Sequence, residues 1–165
     1  DRIIAVAKAY QTRVGAGPFP TELCDLVGDM MVERGHEYGT TTGRRRRTGW
    51  LDLVTLRYAA RVNGLQEIAL TKLDVLSGLN QIKACVAYHW RGRELQDFPT
   101  DAEILAECQP VYVESDGWEE EISQVRTWEE MPEEAQAYVK LIEETVGLPV
   151  TMISVGPERE QIVRK

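Results

Sequence analysis

Short apolar runs alternate with amphipathic stretches along most of this chain, and that alternation constrains the fold more than any other feature. "IIAVAKAY", bounded by polar residues near the start, reads as a buried strand. "ELCDLVGDMMVERG" follows Thr21 with helical spacing and ends near Gly35. From Trp50, "WLDLVTLRYAARVNG" places Leu53, Leu56, Tyr58, Ala60 and Val62 in a largely helical pattern closed by Asn63 and Gly64. "EIALTKLD" is a short apolar strand running directly into charged residues. "QIKACVAYHW" and "RGREL" form a hairpin with a turn near Gly92. "PTDAEILAECQP" is a short helix between prolines, and "PVYVESDGW" is strand and turn. "MPEEAQAYVKLIEETVG" is a helix with proline near its start and glycine at its end, and "LPVTMISVGP" is the closing strand.

Strands alternating with helices predict an α/β fold with a mainly parallel sheet flanked by helices, to which the hairpin adds antiparallel character. At 165 residues, with no repeat, low-complexity tract or linker, the chain is expected to form a single domain over 1–165. A buried strand needs neighbours on both sides, and this one opens a chain without an initiator methionine. We therefore expect the chain to begin inside a longer polypeptide; removal of the methionine by processing is the alternative.

Composition narrows the functional classes. The formal net charge of -8 opposes approach to a polyphosphate, so a nonspecific nucleic-acid binder is not expected. No apolar run approaches the roughly 18 residues of a spanning helix, so no membrane partner is expected. Cys24, Cys85 and Cys108 sit singly, without CxxC spacing, which argues against a zinc site or a disulfide framework and favours a reducing, cytoplasmic setting.

Against that acidic background, "YGTTTGRRRRTGW" concentrates positive charge in a glycine- and threonine-rich loop. Alternate side chains of an extended segment share a side, so Arg44 and Arg46 can act together. Guanidinium forks match carboxylate and phosphate, and threonine hydroxyls with glycine N–H groups can complete a cradle for a small anion. A solvated basic loop, an RNA patch or a localisation signal are the other readings. In "LTKLDVL", Lys72 and Asp74 emerge just past a strand, where open α/β sheets bind ligands. An aspartate there can accept from both the ring N–H and the amine of guanine, with the lysine stem over the base; an ordinary charged turn is the alternative. Ser154, Val155 and Gly156, in "ISVGP", can offer backbone N–H groups to a base carbonyl; a plain strand end is the alternative. "RVGAGPFP" lacks the spacing of a phosphate loop. His36 and His89 lie at no spacing that makes a triad or metal site, and structural or surface roles are expected for both.

Taken together, "KAYQTRVGAGPFPTEL", "GTTTGRRRRTGWLDLVTLRYAARVNGL", "LTKLDVLSGL" and "ISVGPEREQ" resemble the C-terminal part of adenylosuccinate synthetase, in that order, and "PVYVESDGW" and "AQAYVKLIEETVGLPV" extend the resemblance over nearly the whole chain. The resemblance implies part of a larger P-loop-NTPase-like domain in a GTP- and Mg2+-dependent ligase that joins IMP to L-aspartate through 6-phosphoryl-IMP. It implies an aspartate loop comprising Thr40, Thr41, Thr42, Gly43, Arg44, Arg45 and Arg46. Arg44 would reach the IMP ribose and Arg46 would serve both aspartate and GTP. Lys72, Leu73 and Asp74 would recognise guanine with Ser154, Val155 and Gly156, and Val14 would help line the IMP pocket. The family's phosphate loop, catalytic aspartate and catalytic histidine find no match here, and neither do the Mg2+ ligands or the arginine contributed across a homodimer. The segment alone is therefore expected to be inactive.

Overall fold

The computed structural model describes residues 2–165. Its first sheet contains β1 (Ile4–Lys8), β5 (Glu67–Thr71), β9 (Val150–Ser154) and β10 (Ile162–Arg164), in the order β1-β5-β9-β10. The first three strands are parallel, and β10 returns antiparallel to β9. A second sheet centres on β6 (Gln81–Trp90), which pairs in parallel with β4 (Leu51–Asp52) and antiparallel with β7 (Arg93–Leu95) and β8 (Gln109–Asp116). A two-stranded ribbon joins β2 (Gln11–Arg13) to β3 (Arg47–Gly49). The parallel character therefore belongs to the first sheet. The hairpin joins a separate, largely antiparallel one.

Among the described residues four α-helices complete the fold: α1 (Leu26–Gly35), α2 (Leu53–Asn63), α3 (Ala102–Glu107) and α4 (Glu133–Val146). Local chemistry sets their limits. Helix α1 starts later than the pattern after Thr21 predicts, with Asp25 accepting from the Gly28 amide at 2.9 Å. Residues 21–23 are unavailable to a helix because their backbone bonds to β3 and its flank: Leu23 N–H donates to Thr48 and Trp50 N–H to Thr21. Helix α2 likewise begins at Leu53, since Leu51 and Asp52 first pair as β4, and Asp52 caps the Thr55 amide. Gly64 closes α2 in the left-handed region, as the sequence predicts. Arg91 and Gly92, both with positive φ, make the tight β6–β7 turn.

One large core joins the sheets. Helix α4 supplies Ala135, Tyr138, Val139, Ile142 and Val146, which pack with Ile68, Leu70, Ile153 and Val155. Tyr138 donates its hydroxyl to the Ala9 carbonyl at 2.7 Å, tying α4 to the end of β1. Strand β1 differs from its expected burial: it pairs only with β5, and Val6 is 77% exposed. Strand β10 lies beyond the strand expected to close the fold, and its Val163 is buried in the core.

Candidate functional site

The parallel register carries β1, β5 and β9 toward one end, pairing Lys8 with Thr71 and Leu70 with Ile153. Their carboxyl ends therefore present Lys8 and Tyr10, then Lys72 to Asp74, then Ser154 to Gly156 side by side. That edge is where open α/β sheets receive ligands. Helix α1 ends at the same place, and the chain turns at His36 through the left-handed region into Glu37.

Glu37 is the centre of the arrangement, though sequence reasoning gave it no part. It is fully buried. Its Oε1 accepts from Tyr10 Oη at 2.6 Å and Lys8 Nζ at 2.7 Å, and its Oε2 accepts from Arg46 Nη1 at 2.7 Å. Lys72 Nζ stands 3.4 Å from Oε1 while donating to the Gly35 carbonyl. Burial pushes the Glu37 carboxyl up, but the hydrogen bonds from Lys8, Tyr10 and Arg46 outweigh it and hold its pKa at about 2. Burial also draws the Lys8 amine below the usual lysine value despite Glu37, with Lys72 and Arg46 adding repulsion. Three cations thus converge on one ionised carboxylate, and the local field stays positive in an acidic molecule.

The arginine segment is a short excursion with a bound base and a lightly tied tip. Arg46 N–H donates to the Glu37 carbonyl at 2.8 Å, Tyr38 and Arg45 form an isolated bridge, and Gly39 N–H donates to Arg44 at 2.8 Å. Thr40, Thr41, Thr42 and Gly43 are exposed at the tip, where Gly43 has φ +63° and bonds back to Gly39. The arginines diverge as an extended segment requires. Arg45 pairs with Asp29 on the surface, Arg46 with Glu37, and Arg47 with Glu22. Arg44 is exposed, and its side chain makes no hydrogen bond or ion pair among the described residues. Arg47 belongs to the framework: besides a two-point contact with Glu22, it donates to the Gly15 and Gly17 carbonyls at 3.1 and 2.9 Å. Val14 is held exposed in the loop that Arg47 fastens.

Lys72 has φ 62° and turns the chain from β5 into a 3-10 turn at Leu73–Leu76. Asp74 is half-buried there, and burial raises its carboxyl pKa, with Lys72 opposing. Leu73 is completely buried, so only its backbone can face a ligand. Ser154 donates its hydroxyl to the Gly156 carbonyl at 2.8 Å, and Val155 N–H is committed to the Gln161 carbonyl at 3.0 Å. The Gln161 side-chain amide packs into the space beside Gly156 that a Cβ would enter. His36 and His89 are exposed and stand outside the cluster. A cleft of about 270 Å³ runs from Lys8 and Tyr10 past Thr12 to Asp52 and Thr55. Lys8 and Tyr10 were legible by the same strand-end argument that singled out Lys72. Glu37 carried no such signal.

Cations thus gather at the carboxyl edge of the parallel sheet of an α/β protein, the edge where such folds receive ligands. Residues 1–163 match the family described as adenylosuccinate synthetase. The adenylosuccinate synthetase of Thermoanaerobacter sp. strain X514 is 55% identical over 163 residues, covering 99% of this chain and 38% of the relative. That of Halothermothrix orenii is 54% identical over 165 residues, covering all of this chain and 39% of the relative. The structure of fully ligated adenylosuccinate synthetase from Plasmodium falciparum superposes with a TM-score of 0.97 at 45% identity, covering all of this chain and 40% of that one. The chain belongs to the adenylosuccinate synthetase family, and it spans about 38% of the length of the curated relatives it matches.

Proposed function

We propose that this chain is the C-terminal portion of an adenylosuccinate synthetase, a ligase that joins IMP to L-aspartate at the expense of GTP and releases adenylosuccinate, GDP and phosphate in AMP biosynthesis. The convergence of Arg46, Lys8 and Lys72 at one sheet edge, beside Asp74 and the Ser154–Gly156 segment, carries this reading. A dicarboxylate and two phosphorylated nucleotides bring many negative charges together, and this edge supplies the opposing charge. Asp74 reads guanine, Lys72 supports it, and Ser154 to Gly156 flank the base. Arg46 spends one N–H on Glu37 and keeps further donors for aspartate and the GTP side. Arg44 on the loose tip serves the IMP ribose, and the exposed threonines complete the aspartate loop.

The remaining assignments follow from the same reading. Mg2+ is assigned to ligands in the rest of the enzyme together with the nucleotide phosphates. The catalytic acid–base groups are assigned there too, and the segment by itself does not turn over. The open edge and exposed face of β1 are covered by that remaining part, within a homodimer in the cytoplasm. Three free cysteines accord with that compartment, and no helix among the described residues is long and apolar enough to cross a membrane. An RNA-binding module is disfavoured because Arg45, Arg46 and Arg47 already hold carboxylates.

The test uses a full-length protein carrying this segment. With IMP present, GTP should raise its melting temperature more than ATP does, and Asp74→Asn should reduce the preference roughly tenfold or more in apparent affinity, because an amide cannot reproduce both acceptor contacts. Equal protection by the two nucleotides in the unmodified protein would remove Asp74 as the guanine reader.

A further inference from the structure

We propose that Glu37 is a positioning residue that fastens the aspartate-binding loop to the guanine-reading turn, so that each is placed by reference to the same carboxylate. The inference rests on the function proposed above. Its basis is that Arg46 of the loop and Lys72 of the turn approach opposite oxygens of one buried side chain, at 2.7 Å and 3.4 Å. Arg46 is held twice, through its guanidinium to Oε2 and through its amide to the Glu37 carbonyl. Lys72 is held by its hydrogen bond to the carbonyl of Gly35, two residues before Glu37, and stands within ion-pair distance of Oε1.

Glu37 is an anchor and not a displaceable stand-in for a substrate carboxylate. It is fully buried, Tyr10 and Lys8 saturate Oε1, and the Tyr10 hydroxyl is itself wedged against Gly35. Releasing it would leave a buried phenol without its acceptor and three cations repelling one another. Two effects then compete when the carboxylate is neutralised. Removing negative charge makes the site more attractive to anions, whereas losing the anchor lets Arg46 and Lys72 move apart. In a site that works by placement, an error near 1 Å costs about a hundredfold, so disorder outweighs the gain in potential.

The experiment measures KM for aspartate and for GTP, and the factor by which saturating aspartate tightens GTP binding, in a full-length protein carrying this segment. For Glu37→Gln the expected result is an aspartate KM raised about tenfold or more, a GTP KM raised several-fold, and loss of mutual tightening. Should Glu37→Gln fail to fold, Lys8→Met and Tyr10→Phe remove single ties while keeping the carboxylate, and should move the same quantities in the same direction by smaller factors. Unchanged KM values and coupling, a tighter aspartate KM, or a lower kcat with both KM values intact would each overturn the inference. Unmodified protein that does not join IMP and aspartate overturns the proposed function and this inference with it, whereas active unmodified protein with an unaffected Glu37→Gln variant overturns this inference alone.

Discussion

Gly35 shows how closely single residues are committed around the site. A Cβ there would overlap the Tyr10 hydroxyl, so the absence of a side chain at the end of α1 is what lets Tyr10 reach Glu37. We expect Gly35→Ala to destabilise the full-length protein by about 1–3 kcal/mol, as overpacking of a tight interior does. Adding Tyr10→Phe removes the colliding atom, so the double variant should cost less than the sum of the two single changes; additive urea midpoints would show that the two residues do not meet. The same scale explains why the sequence placed Lys72 and Asp74 at a sheet edge while Glu37 went unseen. A strand followed by charged residues announces a sheet edge, but a glutamate after a helix is indistinguishable from many solvated ones until its burial is known.

At the scale of the element, the arginine segment is a fixed base carrying a loose tip. The base is closed by the Glu37–Arg46 and Tyr38–Arg45 backbone contacts and continues into β3, which is paired with β2. The tip from Thr40 to Arg44 is secured mainly through Gly39, Thr42 and Gly43. In hydrogen exchange, the Arg46 amide should be protected by orders of magnitude more than the amides of Thr40 and Thr41 in the absence of substrates, and equal exchange would refute a locked base. This division was half legible. Glycines and threonines marked a loop, and period-two alternation correctly separated neighbouring arginines, but which arginine meets which carboxylate depends on Glu22, Asp29 and Glu37 arriving from other parts of the chain. Helix starts were misplaced for a related reason: Thr21 to Leu23 and Leu51 to Asp52 have their backbone groups claimed by strands distant in sequence.

For the whole molecule, the buried cluster links stability to pH. The Glu37 pKa falls from an ordinary 4.5 to about 2 on folding, so its contribution is complete above the ordinary carboxylate range and is lost as pH falls through about 2. That contribution is on the order of a few kcal/mol. Urea unfolding of the full-length protein at pH 7, 4 and 2.5 should therefore show an acid-driven loss that is shallower in Glu37→Gln; identical slopes would remove Glu37 from the acid limb. Asp52 and Asp74, raised by burial, act with the opposite sign. The alternation of strand and helix, the glycine helix stop at Gly64, the tight turn at Arg91 and Gly92, and the chemical character of the loop and turn were determined by the sequence alone, because each depends on local backbone preference or side-chain type. Division into two sheets, the exposed face of β1, the added strand β10 and the convergence of Lys8, Tyr10, Arg46 and Lys72 on Glu37 were decided only by tertiary structure. They depend on which distant backbone groups pair and on which charges burial forces together, and neither is written in any short stretch of the chain.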